Sequence, residues 1–289
     1  MDSVNIKDLT RDLGGHWQHG YGTAPCPCCQ PERRRDQTAL TIGESAGRLL
    51  LHCKKSGCSF TDLLAACGIT PGGFELDMEA IAEAAKEKKE AEARAIRRAM
   101  TTWERSKPIT GTRGEDYLRG RGITCALPES LRWVDDIRHT PSGKYCEALV
   151  ARVDPTGAIH RTFFEKKGPR LTTNPKMMLG PCRGGAVRLS GGPGPLVACE
   201  GIETGLSLLS GILDGPAQAW AALSTSGLQS LELPREPGEL IVATDGDKAG
   251  RAAGNTLASS AHAAGWEVSM LRAPDGKDWN DVLQQEALV

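Results

Sequence analysis

Six of the ten cysteines in this 289-residue chain fall within its first 70 positions: Cys26, Cys28, Cys29, Cys53, Cys58 and Cys67. Cys26-Pro-Cys-Cys29 supplies a C-x2-C pair, and Cys53 and Cys58 supply a second pair with Gly57 at its bend. Two thiolate pairs delivered on tight turns across a hairpin suit a structural tetrahedral Zn2+. So small a module has little core of its own, so the metal would contribute much of its folding energy. The favoured ligand set is Cys26, Cys29, Cys53 and Cys58; Cys28 could replace Cys29, and His52 could compete with Cys53. Cys67 follows an apolar helical stretch (63–66) and reads as core. Cys125, Cys146, Cys182 and Cys199 lack metal spacing and read as small hydrophobes.

A second chemistry lies in the last third. Glu200 directly follows the apolar run Leu196-Val-Ala-Cys199 and precedes Gly201. Asp245 and Asp247 flank Gly246 after the run 240–244, and Asp278 and Asp281 lie in Gly-Lys-Asp-Trp-Asn-Asp at 276–281. Asp-Gly-Asp puts two carboxylates on one face of a tight turn, where glycine allows sharp backbone geometry. Hard oxygen donors of this kind suit Mg2+ or Mn2+, and Mg2+ keeps waters and also binds substrate phosphates.

The elements that must position these groups follow from periodicity. Residues 38–42 and 48–51 alternate as a hairpin between the cysteine pairs. Residues 74–107 are rich in Ala, Glu, Lys and Arg without Gly or Pro. They predict one long, largely solvated spacer helix with a thin apolar stripe through Ile81, Ala85, Ile96 and Trp103. Residues 108–192 read as α+β, with a helix near 115–121 and strands at 148–153 and 159–164. The Pro-Gly cluster at 191–195 marks a boundary. Beyond it strands (195–199, 217–223, 240–244, 267–272) alternate with helices (203–213, 248–264, 279–286), the pattern of an open, mostly parallel α/β sheet. In such sheets sites form beyond the carboxyl ends of strands, where Glu200, Asp245 and Asp247 fall, and Asp278 follows the last strand. The expected division is 1–70, a zinc ribbon; 71–107, a helical linker; 108–192, a basic α+β subdomain; and 193–289, the α/β domain.

The net charge of −1 conceals opposite poles. Residues 108–192 carry fourteen bases and eight acids, net +6, and residues 193–289 carry five bases and thirteen acids, net −8. A basic middle beside an acidic end can hold a polyanion next to metal-binding carboxylates. No apolar run reaches the ~20 residues of a membrane span, and the first residues lack a signal-peptide core, so a soluble, cytoplasmic protein without a membrane partner is expected. There is no G-x4-G-K-[ST] phosphate loop, which argues against a built-in ATP-driven helicase.

The acidic motifs, Val-Ala-Cys-Glu-Gly at 197–201, Ala-Thr-Asp-Gly-Asp-Lys-Ala-Gly-Arg at 243–251 and Gly-Lys-Asp-Trp-Asn-Asp at 276–281, resemble the TOPRIM fold shared by primases, topoisomerases and some nucleases. The cysteine module, through the run 49–53, Gly57-Cys58 and the apolar helix after it, looks like the zinc-binding domain of bacterial and phage DNA primases. The middle segment is similar to the N-terminal part of the primase catalytic core, through His160-Arg161-Thr-Phe-Phe and the run Asn174–Gly180. The resemblance covers nearly the whole chain in the family's order and is nearest to a compact phage- or plasmid-like form. It implies a nucleotidyltransferase with DNA-directed RNA polymerase activity in DNA replication, making short RNA primers on a single-stranded DNA template from nucleoside triphosphates. A 3′-hydroxyl would attack the α-phosphate with Mg2+ or Mn2+ held by Glu200, Asp245 and Asp247, and Asp278 would complete the catalytic acids. Arg161, Lys166, Lys167, Arg170 and Lys176 would supply cations for triphosphate or template, with Arg161 and Lys176 foremost. The zinc module would contact template by stacking and base-edge contacts, and a separate replicative helicase is the implied partner.

Two departures from the family stand out. Where bacterial primases often carry a further Asp four residues after the first Glu, this chain has Thr204, with Glu203 beside it. Cys53 and Cys58 are also separated by more residues than is usual. Two other functions are compatible with parts of the pattern: a TOPRIM metal-dependent nuclease, and a non-catalytic zinc-dependent DNA-binding or helicase-loading factor. A type IA topoisomerase is disfavoured, because Tyr21, Tyr117 and Tyr145 are the only tyrosines and the chain is short for strand passage.

Overall fold

The computed structural model describes residues 2–18, 20–34, 36–45, 48–70, 74–76 and 78–286. The chain divides into two compact units, Met1–Glu92 and Ala93–Val289.

The first unit opens with β1 (Asp2–Val4) and α1 (Ile6–Asp12), whose Asn5 side chain caps the helix by accepting the N–H groups of Lys7 and Asp8. A four-stranded antiparallel sheet follows, in the order β2 (His16–Gln18), β3 (Tyr21–Ala24), β4 (Leu40–Ser45) and β5 (Arg48–Cys53). The β4–β5 hairpin is longer than its sequence alternation indicates and runs to Cys53. Alternation along β5 buries Leu49, Leu51 and Cys53 on one face, against Leu40, Ile42, Leu63 and Leu64. The last two come from α2 (Phe60–Ala66), which Ser59 caps through the Asp62 N–H. β6 (Phe74–Leu76) pairs in parallel with β1.

The long helix α3 (Met78–Arg105) runs through the boundary between the units. Of the expected linker, residues 71–73 and 77 and the side chain of Ile81 lie outside the described residues. Most described side chains of α3 are exposed, and its second half carries the apolar stripe expected through Ile96 and Trp103. In the second half Ala99 is wholly buried and Trp103 packs with it against a sheet face built from Val134, Ala148, Val150 and Phe163. The Ala-rich stripe that is too weak for a coiled coil suffices for close packing on a sheet.

The second unit holds two five-stranded sheets. After β7 (Lys107–Pro108) comes α4 (Arg113–Gly120), then β8 (Leu131–Arg138), β9 (Tyr145–Val153), β10 (Ala158–Phe164) and β11 (Lys176–Leu179). These strands form an antiparallel sheet in the order β11-β10-β9-β8-β7. The other sheet comprises β12 (Val187–Arg188), β13 (Leu196–Cys199), β14 (Gln218–Ala221), β15 (Glu239–Thr244) and β16 (Glu267–Arg272), in the order β12-β14-β13-β15-β16. All its pairs are parallel except β12 with β14. Its helices are α5 (Ile202–Ser207), α6 (Thr225–Gln229), α7 (Lys248–Ala263) and α8 (Trp279–Glu286).

One expected helix, 203–213, is shorter than its pattern. After α5 the chain widens over Leu208–Ile212 and breaks at Gly211, which has φ +129°, a conformation open to glycine and costly for other residues. The Gly-Pro stretch at 191–195 falls inside the second sheet, between β12 and β13, and one core joins the two sheets through Leu149, Val153, Leu189, Val197 and Leu206. Among the described residues no helix is long and apolar enough to cross a membrane.

Candidate functional site

Four thiols converge in the first unit. The sulfur atoms of Cys26, Cys29, Cys53 and Cys58 all lie within 4.8 Å of one another. Cys26 Sγ is 3.9 Å from Cys58 Sγ and Cys29 Sγ is 3.5 Å from Cys53 Sγ. A tetrahedron with Zn–S bonds of ~2.3 Å has edges of roughly 3.8 Å, so the donor set fits zinc in both chemistry and spacing. Burial pushes the Cys26 thiol up to about 11. Burial also acts on Cys53, but there the N–H groups of Ser56, Cys58 and Lys55 outweigh it and bring the thiol down to about 6. Backbone donors thus favour a thiolate at the end of β5. Cys28 is exposed and stands outside the group, as does His52 on the outer face of β5.

The acids gather at the carboxyl edge of the parallel sheet, because β13 and β15 pair in register: Cys199 faces Ala243, so Glu200 and Asp245 leave neighbouring strand ends together. Close backbone approach is required here. A Cβ on Gly246 would lie 1.9 Å from the Pro274 carbonyl oxygen, and one on Gly250 would lie 2.6 Å from Glu200 Oε1. Gly246 also donates its N–H to the Lys277 carbonyl at 2.8 Å, tying the Asp-Gly-Asp turn to the Lys-Asp-Trp-Asn loop. That loop is anchored by Trp279 and Asn280. Trp279 Nε1 donates to the Thr244 carbonyl at 3.1 Å, and the fully buried Asn280 donates to the Arg121 carbonyl at 2.9 Å and to Ser207 Oγ at 2.8 Å.

Each acid has a distinct setting. Asp247 caps α7, its Oδ1 accepting the Gly250 N–H at 2.6 Å. Asp278 and Asp281 cap the start of α8 reciprocally, each accepting the other's backbone N–H. Asp245 accepts from Thr204 Oγ1 at 3.5 Å. Glu200 Oε1 is buried without a hydrogen-bond partner. Burial first, then the charges of Asp245 and Asp247, lifts Glu200 to about 7. Burial, then Asp278 and Asp247, lifts Asp245 to about 6, with Thr204 and Lys176 pulling the other way. Half-buried carboxylates that repel one another, with an oxygen lacking any donor, fit a divalent cation. These oxygens do not close to the spacing of the thiols: among the described residues only the four cysteines form so tight a set.

The five basic residues expected at the site separate. Lys176 reaches it: its Nζ lies 2.6 Å from Glu203 Oε2. Arg170 follows, with Nη1 3.9 Å from Glu203 Oε1. Arg161 is placed apart from Lys176. It lies between Ile159 and Phe163 on the face of β10 toward α3, whereas Lys176 pairs with Thr162 on the opposite face. Its guanidinium rests over the Phe163 ring and donates to the Met178 carbonyl at 3.1 Å, and burial pushes it down to about 10. The Lys166 side chain pairs with Asp136, away from the acids, and Lys167 donates its backbone N–H to Glu147.

Sequence reasoning missed Tyr117, whose hydroxyl donates to Glu203, and Asn280 as an anchor. Asn280 lay in a quoted motif; nothing in spacing pointed to Tyr117. Tyr117, His160, Thr162, Lys176, Gly201 and Glu203 line a cavity of about 30 Å3 beside Glu200.

Residues 195–287 match the Toprim domain family, and residues 93–189 match a family described as a domain of unknown function, DUF7146. The last third is a Toprim domain. No curated protein matches the chain. Among solved structures it is similar to a DNA primase domain from Pseudomonas aeruginosa at 15% identity and a TM-score of 0.40, covering 66% of this chain and 75% of that one. It is also similar to the Aquifex aeolicus primase (zinc binding and RNA polymerase domains) at 16% identity and a TM-score of 0.39, covering 100% and 84%. The primase fragment of the bacteriophage T7 primase-helicase protein matches at 15% identity and a TM-score of 0.30, covering 49% and 64%. The Toprim match begins one residue before β13 and takes in Glu200, Asp245, Asp247, Asp278 and Asp281, and the other match begins within α3, at the residue where the second unit begins.

Proposed function

We propose that the chain is a DNA primase, a nucleotidyltransferase that makes short RNA primers on single-stranded DNA. The observation that carries this reading is the meeting of the two charge poles: Lys176, from the +6 segment, reaches Glu203, three residues from Glu200 in the −8 Toprim domain. A triphosphate needs cations for its phosphates and carboxylates for its metal, and this juxtaposition offers both.

Glu200, Asp245 and Asp247 would hold Mg2+ or Mn2+. The ion, when bound, supplies charge stabilisation for the attacking and leaving oxygens of an in-line displacement. Asp278 adds its field to Asp245 and fixes the start of α8 beside it. Lys176 and Arg170 would receive phosphate oxygens, and Lys166 and Lys167 would lie along the template, where phosphate contacts set register without reading sequence. Arg161, on the far face, would not touch the nucleotide. A zinc ion on Cys26, Cys29, Cys53 and Cys58 would be structural. The expected partners are single-stranded DNA, nucleoside triphosphates and a separate replicative helicase, in a cytoplasmic setting.

The test combines the purified chain, single-stranded DNA, Mg2+ or Mn2+ and labelled nucleoside triphosphates. New short oligonucleotides that vanish in Asp245→Ala are the expected outcome. Cleavage of the strand without synthesis would identify a nuclease instead, and metal-independent binding alone would identify a loading factor.

A further inference from the structure

Glu203 is the acid that the metal reading leaves unused. It lies on the first turn of α5, yet the partners of its carboxylate all come from the basic segment. Oε1 accepts from the Tyr117 hydroxyl and faces Arg170 Nη1 at 3.9 Å, and Oε2 accepts from Lys176 Nζ at 2.6 Å. The Glu203 side chain is 14% exposed, whereas those of Arg170 and Lys176 are 40% and 43% exposed. One largely covered carboxylate therefore gathers two cations whose tips still reach solvent. A single ion pair would neutralise itself. Two cations on one carboxylate leave an excess positive charge three residues from Glu200.

We infer that Glu203 is a positioning residue, holding Lys176 and Arg170 as a paired receiver for a polyphosphate at the edge of the carboxylate site. Where that polyphosphate is taken as a nucleoside triphosphate, the inference rests on the primase reading. The donor count supports the role. An ammonium has three N–H donors and Glu203 occupies one; the Arg170 contact is a longer ion pair that leaves its planar fork available for phosphate oxygens. Without Glu203 the two cations would repel, and the flexible lysine stem would have no anchor in the ligand-free protein. Tyr117 fixes the carboxylate from the other side. Its hydroxyl occupies Oε1, which directs Oε2 to Lys176.

The experiment measures binding of inorganic tripolyphosphate with Mg2+ by calorimetry, in the full chain and in E203Q, K176A and the double variant. Each single change is expected to weaken binding by about tenfold, and the double change to weaken it no more than about threefold beyond the worse single one, as for residues acting as a unit. In primer synthesis E203Q should raise the nucleotide KM by the same factor while kcat stays within about twofold. Additive losses near a hundredfold, an E203Q variant that binds normally, or a wild-type chain that does not bind tripolyphosphate would each overturn the inference. A lowered Tm with intact binding would do so too, marking the pair as purely structural. Should E203Q fail to fold, E203D keeps the charge and shortens the reach: weakened binding at an unchanged Tm upholds the role, and unchanged binding overturns it. The two readings fail separately. Coupled tripolyphosphate binding without any oligonucleotide product would uphold the positioning role and sink the primase reading. Primer synthesis with an unchanged KM in E203Q would do the reverse.

Discussion

The two metal-type sites of this chain are built on opposite principles. In the first unit four thiols are drawn to within 4.8 Å of one another, and backbone N–H groups around Cys53 favour its thiolate. In the Toprim domain the acids stay further apart, Asp247 and Asp278 spend oxygens on helix caps, and Glu200 keeps a buried oxygen with no donor. A closed soft-donor cage holds its ion as part of the fold. An open, mutually repelling set of hard donors leaves room for waters and for phosphate oxygens, as a reaction centre requires. Similar formal ligand counts therefore serve different ends, and the contrast can be attacked from either side.

The largest effect should come from the cage. Cys53→Ser is expected to lower zinc affinity by on the order of a hundredfold or more and to unfold the first unit, since the metal contributes much of the folding energy there. Zinc content by atomic emission and protease susceptibility of residues 2–70 report it. A variant that keeps one zinc and resists protease would remove the structural role. The open site should respond in the contrary sense. Asp245→Asn is expected to cut synthesis by about a hundredfold to a thousandfold, while raising the Tm of the metal-free chain modestly because one repelling charge is gone. Lost activity with a lower Tm would make Asp245 a packing residue.

Acidity separates the sites further. Glu200, at about 7, and Asp245, at about 6, are both raised above ordinary carboxylates. A raised carboxyl favours its protonated form in the folded chain, so its contribution to stability is present at low pH and is lost as pH rises through those two values. Divalent cations bind the deprotonated pair and offset that loss. The Tm gain on adding MgCl2 should therefore be near zero at about pH 5 and largest at about pH 8. An equal gain at both values would place the ion elsewhere.

Both sites were legible where chemistry sits at fixed spacing. C-x2-C, the second cysteine pair, and an acid immediately after an apolar strand depend only on local turns, and the register of β13 with β15 did the rest. What stayed hidden depended on which face a side chain takes. Every residue of β10 is buried, because α3 covers one face and the Toprim sheet's core covers the other. The apolar-polar alternation that assigns faces is absent from such a strand, so the sequence did not show that Arg161 and Lys176 take opposite faces. Tyr117 and Glu203 are 86 residues apart, so no local pattern joins them. The stripe of α3 was legible at Ile96 and Trp103, but not the burial of Ala99, since alanines that merely permit a helix in water are also those that allow close contact with a sheet.

The smallest effect tests the cage again, at the residue most easily confused with a ligand. Cys28 adjoins Cys29, and by spacing alone either could complete the pair with Cys26. In the folded chain Cys28 is exposed, while the group that closes to ligand distance contains Cys29, whose sulfur lies 3.5 Å from that of Cys53. Cys28→Ser should therefore leave zinc content at one per chain and shift stability by no more than about 0.5 kcal/mol, the range of an ordinary surface substitution. Cys29→Ser, one residue away, should behave like Cys53→Ser. If the two neighbours exchanged these phenotypes, the turn would present its other cysteine to the ion, and the backbone N–H groups that now favour the Cys53 thiolate would belong to a differently closed site.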